Sequence, residues 1–199
     1  MKKSLLLASL LMLSSTVLLA NDAKKWFIGG EFGGMDIGTE KSSETHQNPF
    51  PNERDISKNT QATYEAIKFG KYHNNGRFYG FYGHQNTKDD ITSDMFGAGF
   101  DYIFKDFGEI MPFVGLQASY VKSKIDNTDL KTLGIDSLSG INLGINTGMI
   151  FPVMDSVEIE VGLRLLELEL QNSVTKGTTQ YEVELDGGTQ YYLGVNYKF

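Results

Sequence analysis

Strict two-residue alternation constrains this chain more than any other feature. In residues 157–165, Val157, Ile159, Val161, Leu163 and Leu165 alternate with Glu158, Glu160, Gly162 and Arg164. In residues 141–149, Ile141, Leu143, Ile145, Thr147 and Met149 alternate with Asn142, Gly144, Asn146 and Gly148. Residues 96–104, 110–120 and 191–199 repeat the pattern. A period of two puts each set on one face of an extended strand. No segment after residue 20 carries a long helical apolar face, so a helical bundle is excluded. Residues 26–34, 63–72 and 77–85 read as three further strands. On the first, Trp26, Ile28 and Phe32 share a face and Glu31 lies opposite. The other two carry aromatics on both parities, and their faces stay unassigned.

The connections between these eight strands alternate in length. Residues 37–60, 85–93, 122–137 and 167–186 form the longer ones, and residues 73–76, 105–108 and 152–156 the shorter. H-N-N-G at 73–76 is a good hairpin turn. An up-and-down meander with its long connections at one end produces this order.

Alternation alone does not say which face is inside, because a soluble barrel alternates too. Three features favour a membrane barrel. The polar face is rich in glycine (Gly97, Gly99, Gly115, Gly144, Gly148, Gly162, Gly194), as the narrow interior of an eight-stranded barrel requires. The apolar face carries Trp26, Tyr102, Phe104, Tyr120, Tyr191, Tyr197 and Phe199 near strand ends, the pattern of interfacial aromatic girdles. The connection lengths are asymmetric, as in outer-membrane barrels. The mean hydropathy of −0.26 excludes only the helical way of crossing a membrane, since it averages two faces and the loops.

The N-terminus reads as an address. Lys2 and Lys3 precede a Leu-rich run that ends at Ala20, and polar Asn21 and Asp22 follow, the signature of a secretory signal peptide. The domains are then a signal peptide at 1–20 and one barrel domain at 21–199. Removing Lys2 and Lys3 leaves 16 basic against 25 acidic residues, so the charge moves from −7 to −9. An acidic chain without a basic block is not a nucleic-acid binder. Zero cysteines exclude disulfides, thiolate metal sites and a cysteine nucleophile.

The chain ends V-N-Y-K-F, with Val195, Tyr197 and Phe199 on one face, and residues 111–120 read M-P-F-V-G-L-Q-A-S-Y. On these motifs it resembles the small eight-stranded, porin-like or opacity-like outer-membrane β-barrel proteins of Gram-negative bacteria. The resemblance implies an all-β, antiparallel, up-and-down transmembrane barrel. It also implies a monomer in the outer membrane after secretion to the periplasm, in contact with outer-membrane lipid and lipopolysaccharide. The Val195, Tyr197, Phe199 ending would then be the signal read by the barrel-assembly machinery. Fold does not give function.

The interior positions hold the charges. Glu31, Asp101, Glu158, Glu160, Arg164 and Lys198 all fall on inward parity, and a charge in a narrow barrel must be paired or hydrated. Two clusters are expected: Lys198 with Glu158 and Glu160, and Arg164 with Glu31 or Asp101. Such clusters would plug the lumen; the alternative is a narrow porin-like ion path. Ser42, Ser43, His46 and Asp55 are the residue types of a hydrolytic triad. No G-x-S-x-G surrounds either serine, so a lipid-modifying enzyme is the distant reading and no catalytic residue is assigned. Asp89, Asp90 and Asp94, or Asp126 and Asp129, complete no EF-hand pattern. No metal and no cofactor is expected. Lys122, Lys124 and Lys131 alternate with Asp126 and Asp129 and form no basic patch. The leading reading is a structural or surface-interaction barrel acting through its extracellular loops, whose ligand the sequence does not name.

Overall fold

The computed structural model describes residues 26–45, 52–87, 91–126, 137–176 and 179–199. The expected signal peptide lies outside them. The strands are β1 (Trp26–Thr45), β2 (Asn52–His73), β3 (Gly76–Thr87), β4 (Ile91–Ile103), β5 (Met111–Ile125), β6 (Ser137–Met154), β7 (Val157–Lys176) and β8 (Thr179–Lys198). Each pairs antiparallel with its chain neighbour, and β8 returns to pair with β1, closing an eight-stranded barrel. The expected fold class is the observed one.

Three short connections share one end with Trp26 and Phe199. Asn74 takes a φ of 48° in the β2–β3 turn, a conformation asparagine tolerates better than most residues. A 3-10 turn at Lys105–Phe107, closed by Gly108 at φ 79°, joins β4 to β5. Asp155 and Ser156 turn β6 into β7. The other four connections lie at the opposite, long-hairpin end.

Residues 37–60, expected as a loop, are mostly strand. The β1–β2 register continues from Ile37 opposite Thr60 to Thr45 opposite Asn52. Backbone ladders need no apolar side chains, so two polar strands in register keep pairing until the chain must turn. Residues 167–186 likewise extend β7 and β8, with register shifts between Leu166 and Leu170 and between Ile37 and Thr39.

Register partners followed once around the wall, from Trp26 through Phe78, Leu116 and Leu165, return to β1 at Asp36, ten residues further on. This stagger tilts the strands and fixes an interior wide enough only for side chains. Outward residues include Phe32 at 66 % exposure, Leu165 at 59 % and Tyr120 at 52 %, whereas inward Phe27, Ile125 and Ile150 are 0 % exposed. A continuous outward band of this kind needs hydrocarbon around it, so the barrel spans a membrane. The faces of β2 and β3 are now assigned. Tyr64, Lys68, Arg77 and Tyr79 are buried inward, and Ile67, Phe69 and Tyr82 are exposed outward.

The lumen is filled in layers. Met35, Met95, Val121, Ile125, Leu138 and Leu166 form an apolar plug towards the long-hairpin end. Ile103, Phe113 and Ile150 pack with Tyr192 nearer the short turns. Charges lie between. Inward glycines make room for the aromatic rings: a Cβ on Gly162 would sit 2.4 Å from the Tyr192 ring, and one on Gly99 2.5 Å from Tyr79.

Two outcomes are expected. Unboiled protein will migrate differently from boiled protein on electrophoresis, because lipid-stable barrels resist detergent until heated. Gly162→Leu, which drives a side chain into the Tyr192 ring, will abolish that shift.

Candidate functional site: the lumenal charge network

Six charged side chains from five strands form one chain of alternating sign. Arg164 Nη2 lies 2.7 Å from Glu31 Oε1. Lys68 Nζ lies 2.6 Å from the same oxygen and 3.1 Å from Glu160 Oε2. Arg77 bridges Glu160 at 2.7 Å and Asp101 at 2.8 Å. The order is therefore Arg164, Glu31, Lys68, Glu160, Arg77, Asp101. Every member is at most 5 % exposed. A seventh and eighth charge pair separately: Lys198 Nζ reaches Glu158 Oε1 at 2.6 Å, and the Tyr72 hydroxyl donates to Glu158.

Uncharged groups complete the shell. Tyr192 donates to Glu160 at 2.7 Å, and Asn196 donates to it at 2.9 Å. Tyr64 donates to Glu31 at 3.2 Å while accepting from Arg164 at 3.1 Å. Asn146 donates to the Tyr79 hydroxyl at 2.8 Å. The Arg164 guanidinium also stacks 3.9 Å over the Tyr192 ring. Such partners offset the desolvation of buried ions, which is several kcal/mol for each charge.

The structure brings Arg164 to Glu31 and Lys198 to Glu158. It corrects one expected pairing and decides between two alternatives. Glu160 does not meet Lys198: it stands two residues further along β7 than Glu158, and Lys68 and Arg77 hold it there. Asp101 does not meet Arg164, because Arg77 is its direct register partner across β3 and β4. Lys68 and Arg77 are the residues that sequence reasoning missed. Aromatics on both parities hid the faces of their strands. Charge balance was the available signal. Four inward acids (Glu31, Asp101, Glu158, Glu160) stood against two inward bases (Arg164, Lys198), so two cations were owed. Among residues 61–87, Lys68, Lys71 and Arg77 are the only Lys or Arg.

Ser42 and Asp55 are backbone register partners on β1 and β2, while His46 lies outside the described residues. Asp89, Asp90, Asp129 and Lys131 also lie outside them. Among the described residues no cluster of three or more His, Asp or Glu side chains suits a metal ion. Tyr197 and Phe199 point outward with their rings stacked at 6.3 Å, and Val195 is exposed on the same face.

The chain of charges makes a testable demand. Arg164→Met strands Glu31 beside a single remaining cation and should cost about 3–5 kcal/mol of stability. Glu31→Gln added to Arg164→Met should recover part of that loss. Urea unfolding in detergent micelles, run as a double-mutant cycle, measures both values.

The sequence matches no protein-family model and no curated protein. Solved structures do match. Neisserial surface protein A (NspA) superposes with a TM-score of 0.60 at 16 % identity, covering 89 % of this chain and 100 % of that one. The outer membrane protein OprG from Pseudomonas aeruginosa gives 0.56 at 14 % identity, covering 90 % and 98 %. The closed eight-stranded antiparallel wall, the outward apolar band and these likenesses together show that the chain has the fold of the small outer-membrane β-barrels.

Proposed function

We propose that this protein is a closed, non-catalytic, monomeric barrel of the outer membrane, acting as a structural or surface-interaction element through its long-hairpin end. In this reading the N-terminal segment directs secretion to the periplasm, and the Val195, Tyr197, Phe199 ending is read by the barrel-assembly machinery. The short turns then face the periplasm, and the long hairpins face outward among lipopolysaccharide. Recognition is commonly carried by such connections on a rigid scaffold.

One observation carries the reading. The lumen is crossed by a buried ion chain whose charges cancel, and the apolar plug lies above it. An ion passing through would have to displace fixed pairs and then cross a layer that water avoids. The narrow-channel reading has its own observation. Gln117 Oε1, Ser119 Oγ and both amide atoms of Asn142 are buried without a protein partner, the kind of site that interior water satisfies. On β5 and β6 these polar groups lie below Val121, Ile125 and Leu138 of the plug.

Planar-bilayer recording of the pure, heat-modifiable protein separates the two. A silent trace in molar potassium chloride is expected. Steady unitary conductance that changes in Arg164→Ala would overturn the closed barrel in favour of the channel.

A further inference from the structure

The outward apolar band is far from uniform in height. On β2 only Ile67 and Phe69 separate exposed Glu65 from Lys71, six residues apart. On β3 it runs only from Phe78 to Tyr82 before His84. On β5 the outward apolar positions run from Ile110 to Tyr120, and on β6 from Ile141 to Val153. At about 3.3 Å per residue and a strand tilt of roughly 40°, the β2 band is only about 15 Å from polar edge to polar edge. The β5 and β6 bands are about 25–30 Å on the same geometry, close to the height usual for such a barrel.

Tilting the barrel in the membrane does not produce this. A tilt moves both edges of one face in the same direction. Here the two edges approach each other on β2 and β3 and diverge on β5 and β6. The narrow face is built at both edges. At the long-hairpin edge Glu65, His84, Asp94 and Lys122 are successive register partners. His84 Nδ1 lies 2.9 Å from Asp94, and the Tyr82 hydroxyl donates to the same carboxylate at 2.8 Å. At the short-turn edge Trp26 stacks on Phe69 at 5.2 Å, with the Lys71 ammonium 5.3 Å from the Trp26 ring centroid. Rings with a charged neighbour are the groups that settle at headgroup level. A cleft of about 540 Å³ lies just above the narrow band, between Phe32, Gly34 and Tyr191 and the polar side chains of Thr63 and Asn86.

We propose that the β2–β3 face is a lipid-binding surface that thins the bilayer locally, drawing polar lipid headgroups down to Glu65 and His84 and into this cleft. The occupant is lipid because both edges retreat towards the middle of the band, as two leaflets would follow, and because each edge carries interfacial anchors. A bilayer accommodates a hydrophobic band shorter than its hydrocarbon core by thinning locally.

The absence of native cysteine makes the test direct. The register row of Thr63 reaches β6 at Ser137, four residues above Ile141. The strand stagger raises that row by about five residues on the way, so Thr63 and Ile141 lie at nearly one level along the barrel axis. Single variants Thr63→Cys, Ile141→Cys and Lys71→Cys are spin-labelled in dioleoylphosphatidylcholine vesicles, with heat-modifiable mobility confirming that each is a barrel. Their accessibility to oxygen and to a water-soluble nickel chelate is then compared. The Thr63 and Lys71 labels should read headgroup depth and the Ile141 label acyl depth, with Thr63 about 5 Å shallower than Ile141. Equal depths at Thr63 and Ile141 would overturn the proposal. A polar Thr63 with Lys71 deep in the acyl region would show tilt instead and overturn it too. Asn86→Cys, at the same level on β3, replaces Thr63→Cys if that variant does not fold.

Discussion

Everything in this barrel depends on the closure of β1 on β8. Hydrocarbon offers no partner to a backbone amide, so a sheet with a free edge could not stay in lipid. The closing pairs run to the ends of the described chain: Trp26 N–H donates to Phe199 O at 3.0 Å and Phe199 N–H returns to Trp26 O at 2.9 Å. Closure over eight strands with a ten-residue stagger then dictates a thin interior. Thin interiors take glycine beside large rings, as at Gly162 under Tyr192, and a few charges that can reach one another across the axis.

Those charges do not make the barrel stable in any simple sense. Exchanging a buried ion pair for well-packed apolar groups is often neutral or favourable, while removing one partner is costly. The network is better understood as a filled interior in which each charge is held by at least two others or by a hydroxyl or amide. It occupies the level where a pore would otherwise run, and the apolar plug covers it towards the long hairpins.

The sequence carried the architecture because a membrane barrel writes it with period two. Residues 157–165 and 191–199 could be sorted into faces by parity alone, and the structure sorts them the same way. The β2 and β3 strands resisted because Tyr64, Tyr72, Tyr79 and Phe81 point inward while Phe69, Phe78 and Tyr82 point outward. Aromatic character marks neither side when the lumen is plugged by rings. Lys68 and Arg77 were lost with those strands, so Glu160 was matched to Lys198, and Asp101 stood as an alternative partner for Arg164. The extended β1–β2 ladder was hidden for a different reason. Backbone pairing beyond the membrane leaves no hydrophobic pattern, so residues 37–60 looked like a loop.

The alternating order Arg164, Glu31, Lys68, Glu160, Arg77, Asp101 also selects among barrels. Apolar alternation detects a one-residue slip between strands, because every side chain changes face. It is blind to a slip of two, which keeps all the faces. The ion chain is not blind to it. Sliding β3 by two residues against β4 would carry Arg77 away from Asp101, its register partner, and leave both ions without that match in a dry interior. The interior charges therefore act as an electrical key for the stagger of the wall, rejecting the misregistered barrels that hydrophobicity alone would accept.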